Sequence, residues 1–431
     1  MDRVRIFNTT KQTLCFTGEG LEEVGEELIV DGGKWIDAPR QFAVARLANH
    51  PNILVDWNGP QQPTVLPWPY LTVAAPLCRW IGYGTIGEWY VRHISKWVPI
   101  KLVPVGYWNR SSIYSKDVMA LIDEERPGFT EWALCITIPP DLPKIPSPKK
   151  VMLSMWETDT LPNDQKYGGN WVEMTNALAR ALIVPCESQR EMWRRDGVTI
   201  PIYVVALGVS DEFQYYERPQ RSEGEPFTML LYGSLTSRKS PIETVQACWS
   251  ALGGREDWKL ILKTRQGLLG AGAFTPVIED SRIEVINADY SPTQMYDLHK
   301  RSDCGIFLSK YEGYGLPPRE MMATGLPVIW TEYSGHTDDC DVSYNVPIPI
   351  TGTMDANEGY DTLGLWGIPS WEAAIKAIRG QYEDWKERGR TQSEMGKRAA
   401  FWIRSRCDWE RSAMAALEVV REVMDNEHRR P

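Results

Sequence analysis

The stretch Ser309-Lys-Tyr-Glu-Gly-Tyr-Gly-Leu-Pro-Pro-Arg-Glu-Met-Met-Ala-Thr-Gly-Leu-Pro-Val-Ile329 decides how this chain is read. An apolar run at 304–308 predicts a strand that ends at Ser309. Gly313 and Gly315 then permit a tight turn, and Pro317 and Pro318 suit a first helical turn, whose N–H groups have no partner inside the helix. Glu312 lies in the turn itself, flanked by Tyr311 and Tyr314; Glu320 lies eight positions on, inside the predicted helix. A strand end meeting a glycine-rich turn and a helix N-terminus is the usual ligand position of an open α/β sheet. An isolated helix glutamate ordinarily faces water, but a carboxylate in such a turn needs a polar ligand to meet it.

Outward from this segment, the C-terminal half alternates strands and helices. Strands are predicted at 227–232, 259–262, 283–286 and 305–308, with helices at 241–252 and 292–301, which implies a parallel, doubly wound sheet. After a loop at 334–338 the chain reads as irregular to about residue 369, and long amphipathic helices are predicted at 371–384 and 391–424. The N-terminal half repeats the rhythm less regularly. Strands are predicted at 70–75, 100–105, 132–138, 151–155 and 182–184; a loop to Gly87 leads into a helix ending near Trp97, and another helix covers 170–181. The polar segment 217–226 reads as a linker. The expected domains are a small β-rich extension at 1–66, a Rossmann-like domain at 67–222, a second at 223–400, and closing helices at 401–431.

Composition narrows the function class without choosing one. A chain of 431 residues, 43% hydrophobic and 24% charged, has enough apolar content for more than one core. No apolar run reaches the ~18 residues of a membrane span and the N-terminus has no secretory apolar region, so a cytoplasmic location is expected. Eight dispersed cysteines form no Cys-x-x-Cys pair and predict buried free thiols rather than a zinc site or disulfide framework. A net charge of −10 argues against a broad nucleic-acid surface, and Arg190, Arg194 and Arg195 read as a solvated helix face.

Glu312 and Glu320, with Gly-Tyr-Gly-Leu-Pro between them and Met-Met-Ala-Thr-Gly-Leu-Pro-Val-Ile after, resemble the signature of retaining glycosyltransferases of the GT-B fold, family 4. The resemblance implies two Rossmann-like, doubly wound parallel-sheet domains facing across a cleft; residues 1–66 lie outside it. It also implies that Glu312 contacts hydroxyls of a donor sugar and Glu320 the ribose diol of the nucleotide. An ionised carboxylate suits both tasks, since it accepts two hydrogen bonds from a vicinal diol. Gly313, Tyr314, Gly315 and Leu316 would line the same position.

Three further motifs bear on the reaction. Gly233-Ser-Leu-Thr-Ser-Arg-Lys239 forms a strand-to-helix turn with two cations, suited to a diphosphate. In the resembled family an Arg often follows the glycine; here Ser234 stands there, so Arg238 would take over, beside Lys239. Lys263 or Arg265, after the strand at 259–262, is within reach of the same phosphates, but the surface reading is preferred for both. Gly82-Tyr-Gly-Thr-Ile-Gly87 matches the dinucleotide fingerprint, which keeps an NAD-dependent oxidoreductase as the alternative from another reaction class. That fingerprint needs its first glycine directly after a strand and an acid closing the second strand; neither is present. The family resemblance instead brings Gly82, Tyr83 and Gly84 to the donor phosphates and acceptor from across the cleft. Met155-Trp-Glu-Thr-Asp-Thr-Leu-Pro162 resembles the Trp-Glu…Leu-Pro segment of a family subgroup and offers Glu157 or Asp159 to the sugar or acceptor; equally, Glu157 caps a turn. His336 is read as a structural hydrogen-bonding residue.

Together these readings predict metal-independent, retaining transfer of a hexose-type sugar from a nucleotide-diphosphate sugar, the co-substrate, with no cofactor. An inactive GT-B nucleotide-binding module is a third reading. The acceptor is open among glycan, lipid, protein and modified nucleobase, peripheral membrane contact is left open, and neither donor nor oligomeric state is legible.

Overall fold

The computed structural model describes residues 70–78, 81–106, 115–123, 130–265, 280–357 and 363–429, and the backbone of five strands between residues 3 and 56. Those five strands make an antiparallel sheet, Arg3–Asn8 between Trp35–Pro39 and Ile53–Asp56, and a hairpin of Leu14–Thr17 with Glu27–Val30.

Two six-stranded parallel sheets carry the rest. The first runs in the order Ile202–Val204, Ala181–Val184, Lys149–Leu153, Trp132–Ile136, Leu71–Ala75, Ile100–Pro104. The second runs Ile283–Asn287, Trp258–Thr264, Phe227–Tyr232, Cys304–Phe307, Val328–Thr331, Val346–Ile348. Strands such as Leu71–Ala75 and Phe227–Tyr232 are buried along their whole length, because helices cover both faces of a parallel sheet. In each sheet the direction of strand addition reverses once. One reversal lies between Leu71–Ala75 and Trp132–Ile136, the other between Phe227–Tyr232 and Cys304–Phe307. A crevice opens beyond the carboxyl ends of strands at such points.

Four expectations need correction. The segment expected to be irregular holds the sixth strand of the second sheet, Val346–Ile348, and a hairpin of Ile350–Asp355 with Leu365–Pro369. Pro347 sits in that strand because it is an edge strand, where a missing N–H costs little. The hairpin's mostly exposed first strand carries no apolar alternation to read. The helix expected at 391–424 is two, Glu394–Arg406 and Trp409–His428, broken where Asp408 caps the second by accepting from Arg411 N (2.8 Å).

The helix expected to begin after Gly87 begins at Gly82. Gly84 and Gly87 lie on its inner face, where a Cβ would stand 1.9 Å from Cys78 O and 2.2 Å from Pro76 O, so the glycines admit close packing. Finally, segment 217–226 is no slack linker. The buried Arg218 guanidinium donates to the carbonyls of Ser302, Thr324 and His299, and Arg221 pairs with Asp303 (3.2 Å), fastening this segment to the second sheet's layer.

The last helix, Trp409–His428, packs against Gly82–Ile94: Trp409 stacks on Trp89 with ring centroids 6.2 Å apart, and Tyr90 OH and Ser412 Oγ are 2.8 Å apart. The seven described cysteines are free, and six are buried. No helix among the described residues is long and apolar enough to cross a membrane.

Candidate active site

Between the two crevices lies a cleft of about 990 Å³. The second sheet contributes the turn after Phe227–Tyr232, with Gly233, Ser234, Arg238 and Lys239, and the turn after Cys304–Phe307, with Glu312 to Pro317 and Glu320. A backbone bond joins the turns: Lys310 N donates to Arg238 O (2.8 Å). The first sheet faces them with Ile81, Gly82, Tyr83, Asp141 and Glu157.

Glu312 is nearly sealed from solvent and held by two cations. Lys239 Nζ donates to Oε1, and Arg238 Nη1 lies 3.3 Å from Oε2. Burial would raise its pKa, yet the Lys239 and Arg238 charges prevail and hold the carboxyl far below the ordinary range. Its backbone N–H donates to Ser334 Oγ (2.8 Å) and its carbonyl accepts from Gly335 N (2.9 Å). Arg238 spans the cleft: Nη2 lies 2.7 Å from Glu157 Oε2, and Nη1 also donates to Tyr311 O (2.7 Å).

Glu320 sits about one turn into its helix, half-buried, and accepts from Tyr232 OH at 2.6 Å. Burial and that neighbouring carboxylate push the Tyr232 hydroxyl well above its ordinary pKa, so it stays a donor. The helix Leu316–Ala323 starts at Gly315, whose φ of 89° suits glycine, and no side chain caps its first N–H groups. His336 Nε2 occupies the space a Cβ at Gly315 would fill, while Nδ1 lies 3.0 Å from Thr331 O and the ring stacks on Trp330. Burial pushes its pKa down to about 3, so the ring is neutral packing against the turn. Tyr314 also lines the cleft, and its hydroxyl donates to Leu207 O (3.1 Å).

On the facing side Gly82, with open space above its Cα, lines the cleft, whereas Gly84 lies behind it against Cys78. The Tyr83 hydroxyl accepts from Met155 N and donates to Met155 O, both at 2.8 Å, and burial pushes its pKa up to about 12. It clasps helix to strand end. Asp159 also lies off the cleft lining: its carboxylate accepts from Leu365 N (2.6 Å), and Trp366 Nε1 donates to Glu157 O (3.1 Å), so the hairpin grips this loop.

Sequence reasoning overlooked Arg319. Fully buried, it donates to Asp339 (2.7 Å), to Tyr314 O, and to Gly315 O and Gly335 O at 3.1 and 3.0 Å, tying the glycine-rich turn to the following segment. Burial disfavours its charge, but Asp339 outweighs that and raises its pKa. An arginine beside a glutamate in a helix carries no signal of burial; only the distant Asp339 explains it. Lys263, read as a surface residue, is instead buried in the cleft wall 5.1 Å from the Tyr290 ring, with Asp289 nearby. The strand continues to Thr264 and carries it inward. Arg265, only partly buried, lines the cleft beside it.

Comparison with known proteins bears on the fold and on the segment that carries Glu312. Residues 281–339 match the family model described as glycosyl transferases group 1. A GDP-mannose:cellobiosyl-diphosphopolyprenol alpha-mannosyltransferase from Xanthomonas campestris is 28% identical over 156 residues, 35% of this chain and 40% of the relative's length. Among solved structures, sucrose-phosphate synthase from Thermosynechococcus elongatus superposes with a TM-score of 0.57 at 12% identity, covering 83% of this chain and all of that one. HepE from Anabaena, solved in complex with UDP-glucose, gives the same TM-score at 11% identity over 83% and 99% of the two chains. The chain has the GT-B fold, and its Glu312 turn lies within a segment that matches the glycosyl transferases group 1.

Proposed function

We propose that the protein is a retaining glycosyltransferase that moves a hexose-type sugar from a nucleotide-diphosphate sugar to an acceptor hydroxyl without a metal. The observation that carries this reading is the line of polar groups along one wall of the cleft: Glu312, Arg238 with Lys239, and Glu320. The sugar hydroxyls meet Glu312, the diphosphate meets Arg238 and Lys239, and the ribose meets Glu320 with Tyr232 behind it. As the glycosidic bond breaks, negative charge grows on the leaving diphosphate. Two preorganised cations and the uncapped helix start at Gly315 stabilise that charge within a partly desolvated cleft.

Glu312 then positions the sugar. A carboxylate already hydrogen-bonded to one cation and paired with a second is a poor nucleophile, which favours departure and attack on one face of the sugar, with retention. The named activity of the Xanthomonas relative, an alpha-mannosyltransferase using GDP-mannose, supports the substrate class.

The test is a panel of UDP-, GDP- and ADP-sugars read by free-nucleotide release, with the anomeric configuration of the product from the active donor set by NMR. Release with retained configuration is expected. Inverted product would remove the retaining mechanism; hydride exchange with NAD and no release from any donor would move the protein to the oxidoreductase class.

A further inference from the structure

Resting on the donor placement above, we infer that Glu157 is an exchangeable counter-ion of Arg238 that the donor's β-phosphate must displace. Arg238 and Lys239 are matched one for one by Glu312 and Glu157, so the cluster is already neutral. A diphosphate entering it adds negative charge, and one carboxylate must give way. Burial decides which. The Glu312 side chain keeps 5% of its surface exposed and would lose both cations with no water to replace them; Glu157 keeps 42% exposed and can turn to solvent.

The surroundings allow the exchange without a larger rearrangement. Glu157's carbonyl is gripped by Trp366 Nε1 and the neighbouring Asp159 carboxylate by Leu365 N, so the backbone stays in place while the carboxylate changes partner. Arg238 is steadied by Tyr311 O and Glu312, so its guanidinium remains at the cleft wall when Glu157 leaves. Glu157 therefore acts through Arg238: it neutralises the guanidinium while the cleft is empty and sets a threshold that only a ligand with a phosphate at that point overcomes.

Calorimetry of UDP, GDP and ADP, and of the matching monophosphates, with wild type, Glu157→Gln, Arg238→Gln and the double variant tests this. Glu157→Gln removes the competitor and keeps the shape, so the preferred nucleoside diphosphate binds roughly three- to tenfold more tightly, with the monophosphate nearly unchanged. In the Arg238→Gln background the same substitution has no effect, a coupling that a merely structural role does not produce. Unchanged or weakened diphosphate binding in Glu157→Gln, or an equal gain without Arg238, overturns the inference while leaving the transfer reading standing. No diphosphate binding to wild type removes both.

Discussion

Glu312 shows how a single side chain is set by opposing effects. Its burial alone would favour the neutral acid, and two cations within ion-pair distance reverse that. Its pairing therefore stabilises the fold above the ordinary carboxylate value of 4.5 and loses that contribution as pH falls through the depressed folded value. Arg319 is the second such case. Arg319→Met leaves Asp339 with the partly exposed Arg406 as its one ion-pair partner among the described residues, and a loss of about 3–5 kcal/mol in urea denaturation is expected. Near-wild-type stability would show that Arg319 does not hold the turn. At this scale the sequence was unevenly legible. Glu312 and Glu320 stood out because glycines and prolines surrounded them, whereas Arg319, Asp339 and Lys263 have no local pattern: their burial comes from partners far along the chain.

Helices and strands explain where those side chains end up. Strand-helix alternation was readable in both halves because the central strands are apolar runs of four or more residues bounded by turn residues. The edge strand Val346–Ile348 and the hairpin after it were not, since edge position and an exposed face remove the apolar signal. The glycines at 84 and 87 were readable as a motif but not as packing glycines. The last helix is held by the Trp409–Trp89 stack, and Gly208 lies so close that a Cβ there would stand 2.3 Å from Trp409 N. Trp409→Ala should cost about 3–5 kcal/mol, read as an earlier unfolding midpoint. An unshifted midpoint would mean that the helix docks without this anchor.

For the whole molecule, contacts across the cleft matter most. Glu157 with Arg238, Asp159 with Leu365, and Asp338 accepting from Glu187 N (2.8 Å) join the two sheet layers, and none was legible because each pairs residues more than 80 positions apart. Among the described residues the molecule also buries three neutral histidines, His93, His299 and His336. Burial pushes His299 and His336 down to about 3 and His93 to about 4, while the unfolded chain takes up protons near 6.5. Stability is therefore full above pH 6.5 and falls as pH drops from there toward 3, by up to about 1.4 kcal/mol per unit for each imidazole. Urea midpoints across that range check it; a flat profile would mean that none of these rings stays neutral in the fold.

The central claim is that a nucleotide sugar lies along the cleft wall with its sugar at Glu312. The most direct measurement compares free-nucleotide release and nucleoside-diphosphate affinity in wild type and Glu312→Gln. Release from the active donor should fall by roughly a hundredfold or more, with diphosphate affinity not weakened, since the amide keeps the shape and frees the cations. Wild-type release by Glu312→Gln, or a matching collapse of diphosphate affinity, would contradict the placement of the sugar.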